Sequence, residues 1–267
     1  GLNVSQIAGS QQFLDNGSWN KRLHTGLTPH NSILSLVMAQ SGYLGATNPI
    51  EGKFGYLKLY ANDEITDFSI FDTYGTDFEV MNTAVKPYPC CRFSHATIDA
   101  VLDITQDNDI NHNDISKIDI TMGKTGYDMV GYSEDFPKNT VEAQFSAYFA
   151  AAVAAIKGEY LWDSYQLIGD ETLQTVMGKV NVRQETFQHE MQSHISISTV
   201  NGKKYEQNVD YPKGEPENPV SWDDTLNKFL GLSEPLLGQE KSEAIYEFVY
   251  NLESKQSMNE ISAHLIP

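Results

Sequence analysis

Cysteine is scarce in this chain: two among 267 residues, and the two are neighbours at positions 90 and 91. Vicinal cysteines rarely reach disulfide geometry without a strained peptide, and no second Cys/His cluster stands at zinc spacing. Neither a disulfide framework nor a structural zinc is therefore supported. Long apolar runs are missing too. Nothing approaches the roughly 20 residues that span a bilayer, and no basic segment followed by a short apolar stretch opens the chain as a signal peptide would. A cytoplasmic protein without a membrane partner is expected. Positive charge is in short supply: 18 Lys and Arg against 36 Asp and Glu leave a formal charge of −18. That balance argues against nucleic acid, whose binding draws on clustered Lys and Arg that release counterions. Also absent are a Gly-rich phosphate loop, a nucleophile elbow and a His-Glu metal helix.

What is present suffices for a core, since 40% of the residues are hydrophobic and 11% aromatic. The opening GLNVSQIAGSQQFLDNGSW has no methionine, and its apolar residues read as the tail of a helix stopped by Asn16-Gly17, so the numbered chain is expected to begin partway into an element. Ile33, Leu34, Leu36, Val37 and Met38 predict a buried helix over 27–42, followed by short helices and loops over 44–85. From Lys86 the pattern changes. A helix near 93–106 precedes ISKIDITM (115–122), which alternates as a strand does, and a long apolar helix over 140–157 ends at Gly158. KVNVRQETF (179–187) and HISISTV (194–200) alternate again, and Asn201-Gly202 before KKYEQNVDY predicts a two-residue hairpin turn. YPKGEPENPVS (211–221) punctuates the chain before helical periodicity returns over 222–232, 239–253 and 257–265. The fold class is α+β: a helical body made from both chain ends (1–85 and 215–267) interrupted by an α+β insertion (86–214).

Two stretches carry enough unusual residues to hold chemistry. KRLHTG places Lys21, Arg22 and His24 after the expected helix stop, where a loop can present them; a solvated basic turn is the blander reading. KPYPCCRFSH (86–95) has the stronger claim. Pro87 and Pro89 stiffen the backbone around Tyr88, and a helix starting near Cys90 or Cys91 would turn free N–H groups towards an anion beside Lys86. A thiol at such a place tends towards a lowered pKa, although buried inert cysteine is the commoner fate. His112, His189, His194 and His264 have no partner in sequence and receive no role. Asp107, Asp109, Asp114 and the Asp223-Asp224 pair read as solvated faces and helix caps.

GSWNKRLHTG, IEGKFGY, KPYPCCRFSHATIDA, VEAQFSAYFAAA and ENPVSWDD, in that order and over nearly the whole chain, resemble the MmgE/PrpD family. The family comprises metal-independent enzymes on small polycarboxylates: 2-methylcitrate dehydratase, cis-aconitate decarboxylase and iminodisuccinate epimerase. The resemblance implies a helical large domain with an inserted α+β lid, no cofactor, a small polycarboxylate as partner, and a homodimer. Family chains carry a further helical segment ahead of the point where this one starts, so the chain resembles a C-terminal portion. Carried over by position, Lys21 and His24 match the Lys-x-Leu-His-x-Gly motif and Lys86 the lysine that opens the lid. Cys91 falls where the decarboxylases carry a histidine and many bacterial members a cysteine, which leaves Cys91 or His95 as the lid-side acid/base.

Dehydration, decarboxylation and epimerisation beside a carboxylate all build negative charge there, and basic side chains stabilise it. Lys21, Arg22 and His24 are thus expected to face Lys86, Cys91, Arg92 and His95, with Lys21 and Lys86 clamping carboxylates, Arg22 and Arg92 binding substrate, and His24 as general acid/base. A dehydratase lyase is the leading reading, an isomerase or decarboxylase the alternative, and a remnant keeping the fold without turnover the third.

Overall fold

Alternation places every second residue of a strand on one face, and in ISKIDITM it puts Ile118, Ile120 and Met122 together inside. These residues form β1, Ile115–Met122. A register irregularity between Ile115 and Lys117 turns Ile115 inward as well, so that all four are essentially inaccessible. β1 lies inside a four-stranded sheet of order β2-β1-β3-β4. β2 (Val180–Gln184) runs parallel to it, whereas β3 (Ser193–Thr199) and β4 (Lys204–Val209) continue antiparallel. The β3–β4 hairpin is one residue longer than its Asn-Gly pair predicts. Gly202 N–H donates to Thr199 O at 3.0 Å and Thr199 N–H to Lys203 O at 2.9 Å, with Gly202 at φ 81°. Val200 and Asn201 thus form the turn, and glycine takes the left-handed position after it.

The structure is a computed structural model describing residues 1–15, 18–61, 65, 67–69, 72–255 and 257–265. It divides into two compact units, Gly1–Met81 and Asn82–Pro267. In the first, α1 (Asn20–Gln40) and α2 (Tyr56–Tyr60) are joined by turns. α1 corrects two expectations. It starts at Asn20, so KRLHTG is helical rather than a loop: Gly26 costs a helix only about 1 kcal/mol, and the Thr25 and Thr28 hydroxyls bond back to Arg22 O and His24 O. Nor is it buried, since Ile33, Leu34, Leu36 and Val37 are 63, 44, 57 and 51% exposed. Ahead of it stand two 3₁₀ turns, Val4–Gln6 and Gln12–Asp15, in place of a helix tail; the expected stop at Asn16-Gly17 lies outside the described residues.

In the second unit α3 (His95–Asp107) and α6 (Ala147–Lys157) pack on each other; α3 also meets β3 and β4, α6 meets β2, and a single turn, α4 (Lys124–Gly126), follows β1. The apolar run predicted as one helix over 140–157 is two. α5 (Thr140–Gln144) is capped by Asn139, and α6 restarts at Ser146, whose side chain accepts the Phe149 N–H at 3.1 Å. A serine hydroxyl that caps a new helix competes with continuation of the old one. Gly158, at φ 67°, ends α6 as predicted. α7 (Glu171–Met177) leads into β2. Past the proline-rich segment, Ser221 and Asp224 build a capping box for α8 (Trp222–Leu237), which turns at Gly238 into α9 (Gln239–Tyr250). Ile245, Phe248 and Ile261 form a small core there with Phe229 and Leu237. Among the described residues no helix is long and apolar enough to cross a membrane.

Candidate active site

In the second unit Lys86, Arg92 and His95 stand in the stretch 86–95, and Lys228 reaches it from α8. Val85 N–H donates to Gly214 O at 2.8 Å, and a Cβ on Gly214 (φ 97°) would lie 1.9 Å from Val85 O, so glycine is needed there for this approach. Pro89 O accepts from the Tyr165 hydroxyl at 2.7 Å and from the Gln144 side chain at 3.0 Å. The helix start expected near Cys90 or Cys91 is not found there. α3 begins at His95 behind a 3₁₀ turn, Arg92–Ser94, and the Cys91 N–H donates to Gln144 O at 2.8 Å, the carbonyl set free where α5 ends. Both thiols are reduced and buried. Burial, reinforced by the neighbouring Cys91, pushes the Cys90 thiol up rather than down.

Lys86 is exposed along its stem, and its ammonium donates to Cys90 O at 3.1 Å. Lys228, on α8, donates to Lys86 O at 2.6 Å. Burial and the Lys86 charge hold the Lys228 ammonium below its ordinary range. No sequence signal marked Lys228, a lone lysine on an amphipathic helix, and nothing local marked Glu215 in the proline-rich segment.

Arg92 has five N–H bonds and makes five contacts. Nε and Nη2 reach Glu215 Oε1 at 2.7 and 2.6 Å, Nη1 reaches Lys213 O at 3.0 Å and His95 Nδ1 at 2.6 Å, and Nη2 reaches Pro212 O at 3.3 Å. His95 itself is 0% exposed. Burial, then the charges of Arg92 and Lys86, press its pKa down to about 3, so the ring is neutral at physiological pH. The Tyr88 ring meets it edge-on at 5.1 Å between centroids. The Tyr88 hydroxyl donates to Asp99 Oδ1 at 2.6 Å, and Asp99 Oδ2 accepts the Lys213 N–H at 2.7 Å.

The structure therefore brings together Lys86, Arg92 and His95 and adds Lys228, with Cys91 buried beside them. Lys21, Arg22 and His24 belong to the other unit, on the first turns of α1. There the Arg22 guanidinium lies 5.7 Å from the Trp19 ring centroid, and half-buried His24 meets Phe13 edge-on at 6.1 Å. Close to the second unit's cluster, a cavity of about 470 Å³ opens between Pro87, Pro89, Trp162 and Tyr165 on one side and Lys228 and Leu232 on the other. Its size suits a small metabolite, and its lining includes both Lys228 and Asp163.

A mixed sheet backed by helices, entered through a stiffened segment bearing Lys, Arg and His, defines an α+β domain. Residues 88–254 match the MmgE/PrpD C-terminal domain, and the chain belongs to the MmgE/PrpD family. It is 21% identical over 262 residues to the cis-aconitate decarboxylase-like protein oryM of Aspergillus oryzae, covering 91% of this chain and 54% of that protein. The chain thus spans about half the length of the curated relative it matches.

Proposed function

We propose that this protein is a metal-independent lyase acting on a small polycarboxylate. The observation that carries the reading is the pair of ammonium groups, Lys86 and Lys228, beside Arg92 and His95 in a chain of this family whose overall charge is −18. An acidic protein that clusters its scarce cations supplies a local field for an anion that its surface would otherwise repel. Lys86 and Lys228 hold carboxylates, and their charge stabilises what develops as a bond beside a carboxylate breaks. Lys21 and His24 are the corresponding proposals in the first unit, with Lys21 holding a carboxylate and His24 as general acid/base.

The favoured reaction is dehydration of a 2-methylcitrate-like hydroxy acid. A base takes the proton next to a carboxylate, the C–H electron pair becomes the double bond, and the hydroxyl leaves with a proton as water. The name of the Aspergillus relative favours a second reading, decarboxylation of a cis-aconitate-like acid. There the electrons of the broken C–C bond are quenched by a delivered proton. Incubating the full-length protein with 2-methylcitrate, cis-aconitate and iminodisuccinate, with and without EDTA, and following alkene absorbance and CO2 release separates these from epimerisation. Turnover of one acid unaffected by EDTA is expected; no turnover of any, or turnover abolished by the chelator, overturns the reading.

A further inference from the structure

The Arg92–His95 contact has a definite chemical direction. A guanidinium only donates, so at 2.6 Å the His95 Nδ1 must present its lone pair, and the single ring proton of a neutral imidazole must sit on Nε2. Protonating Nδ1 would set two donors against each other. Nε2 is buried and has no partner at full hydrogen-bond geometry among the described residues, the Cys90 backbone being the polar group that acts on the ring. A buried donor without an acceptor costs roughly 1–3 kcal/mol, and such groups call for an explanation.

We infer that Arg92 is a positioning residue: braced by Glu215 and the carbonyls of residues 212 and 213, it fixes the His95 proton on Nε2 and leaves the ring neutral. The tautomer is independent of the polycarboxylate reading. The brace is specific. Glu215 takes Nε and Nη2, the two carbonyls take one N–H on each terminal nitrogen, and only the remaining Nη1 proton is left for the ring. The guanidinium therefore cannot swing away without giving up four other contacts. Arg92, Lys86 and Lys228 supply the charge around His95, the Tyr88 ring covers one edge, and Tyr88's own hydroxyl is committed to Asp99. None of these cations can accept a proton from Nε2. The arrangement holds a neutral ring of fixed tautomer among groups that carry full charges.

The test reads the ring directly. In full-length protein labelled with 15N-histidine, His95 is assigned by loss of its signals in His95→Gln, and the two-bond proton–nitrogen pattern is recorded from about pH 8 to 5. Wild type is expected to show one neutral ring with the proton on Nε2 throughout. Arg92→Met, which removes the donor, is expected to bring the two ring-nitrogen shifts towards each other as both tautomers are sampled. Should that variant not fold, Arg92→Lys keeps a cation but loses the fork, and its Nδ1 shift is expected to move towards the free lone-pair position. A wild-type proton on Nδ1, or ring shifts in a folded Arg92 variant identical to wild type, would overturn the inference. Because the tautomer is read without substrate, failure of every acid to turn over would count against the functional reading alone.

Discussion

Two helices of this chain carry basic residues at or just ahead of their N-terminal ends, and they live in opposite surroundings. α3 follows Lys86 and Arg92, starts at His95 and buries eight side chains from His95 to Thr105. α1 opens with Lys21, Arg22 and His24, and Ser35 is the buried residue among those described. Around α3 Arg92, Tyr88 and Asp99 are all hydrogen-bonded, whereas His95 Nε2 and the Ser94 and Thr97 hydroxyls are buried without a bond among the described residues; in a dry setting made bonds are strong and unmet ones costly. Along α1 the same residue types face solvent, where a charge is worth little to stability. A substitution near α3 is thus expected to disturb the fold, except at an exposed position such as Lys86, whereas one on the exposed face of α1 is expected to leave the fold nearly unchanged.

The largest effect expected from this contrast is at Lys86. Lys86→Ala should lower turnover about 10²–10⁴-fold, the usual scale for a positioned proton-transfer or charge-stabilising group, while the denaturation midpoint hardly moves. Unaltered steady-state kinetics would make KPYPCCRFSH a polar turn and remove Lys86 from the mechanism. Next in size is packing. Ile98, fully buried in α3, should cost about 2–5 kcal/mol on change to alanine, against roughly 0.5 kcal/mol or less for Leu36→Ala on α1. Urea titrations of the two variants compare them, and equal losses would show that the α1 face is covered in solution.

The smallest effect concerns protons. His95 is held neutral by the fold, with its pKa lowered to about 3 by burial and by Arg92, whereas an unfolded histidine titrates near 6.5. Between these values the unfolded chain binds more protons, so the stability is present in full above about pH 6.5 and is lost as pH falls towards 3. The slope approaches about 1.4 kcal/mol per pH unit for one such group. His95→Gln should flatten the wild-type fall in unfolding free energy between about pH 6 and 4, measured by urea titration at each pH. An identical slope in the variant would mean that the ring takes up its proton without unfolding.

Much of the second unit could be read from sequence because its signals are local. The bounds of β1 follow from alternation, Gly158 ends α6 by the left-handed conformation glycine favours, and Pro87 and Pro89 mark the site segment. Signals that compete locally were misjudged. KRLHTG up to Gly26 read as a loop although α1 runs through it, and the apolar run after Thr140 hid the cap at Ser146. Partners far along the chain were not legible at all. Nothing in ISKIDITM says that β2 joins it in parallel, and neither Glu215 nor Lys228 differs locally from any other charged surface residue. Arg92 and His95 were picked out, but the contact that orients them depends on a loop more than a hundred residues later.

That separation has a consequence for the order of assembly. Arg92 and Glu215 are 123 residues apart, while β3 and β4 meet across a three-residue turn. Closing the longer loop costs more chain entropy and yields little until the sheet and α3 already stand, so the hairpin forms early and the brace around His95 late. The site is then the last part of the unit to appear. On a growing chain the imidazole waits for its orientation until the segment after β4 has emerged.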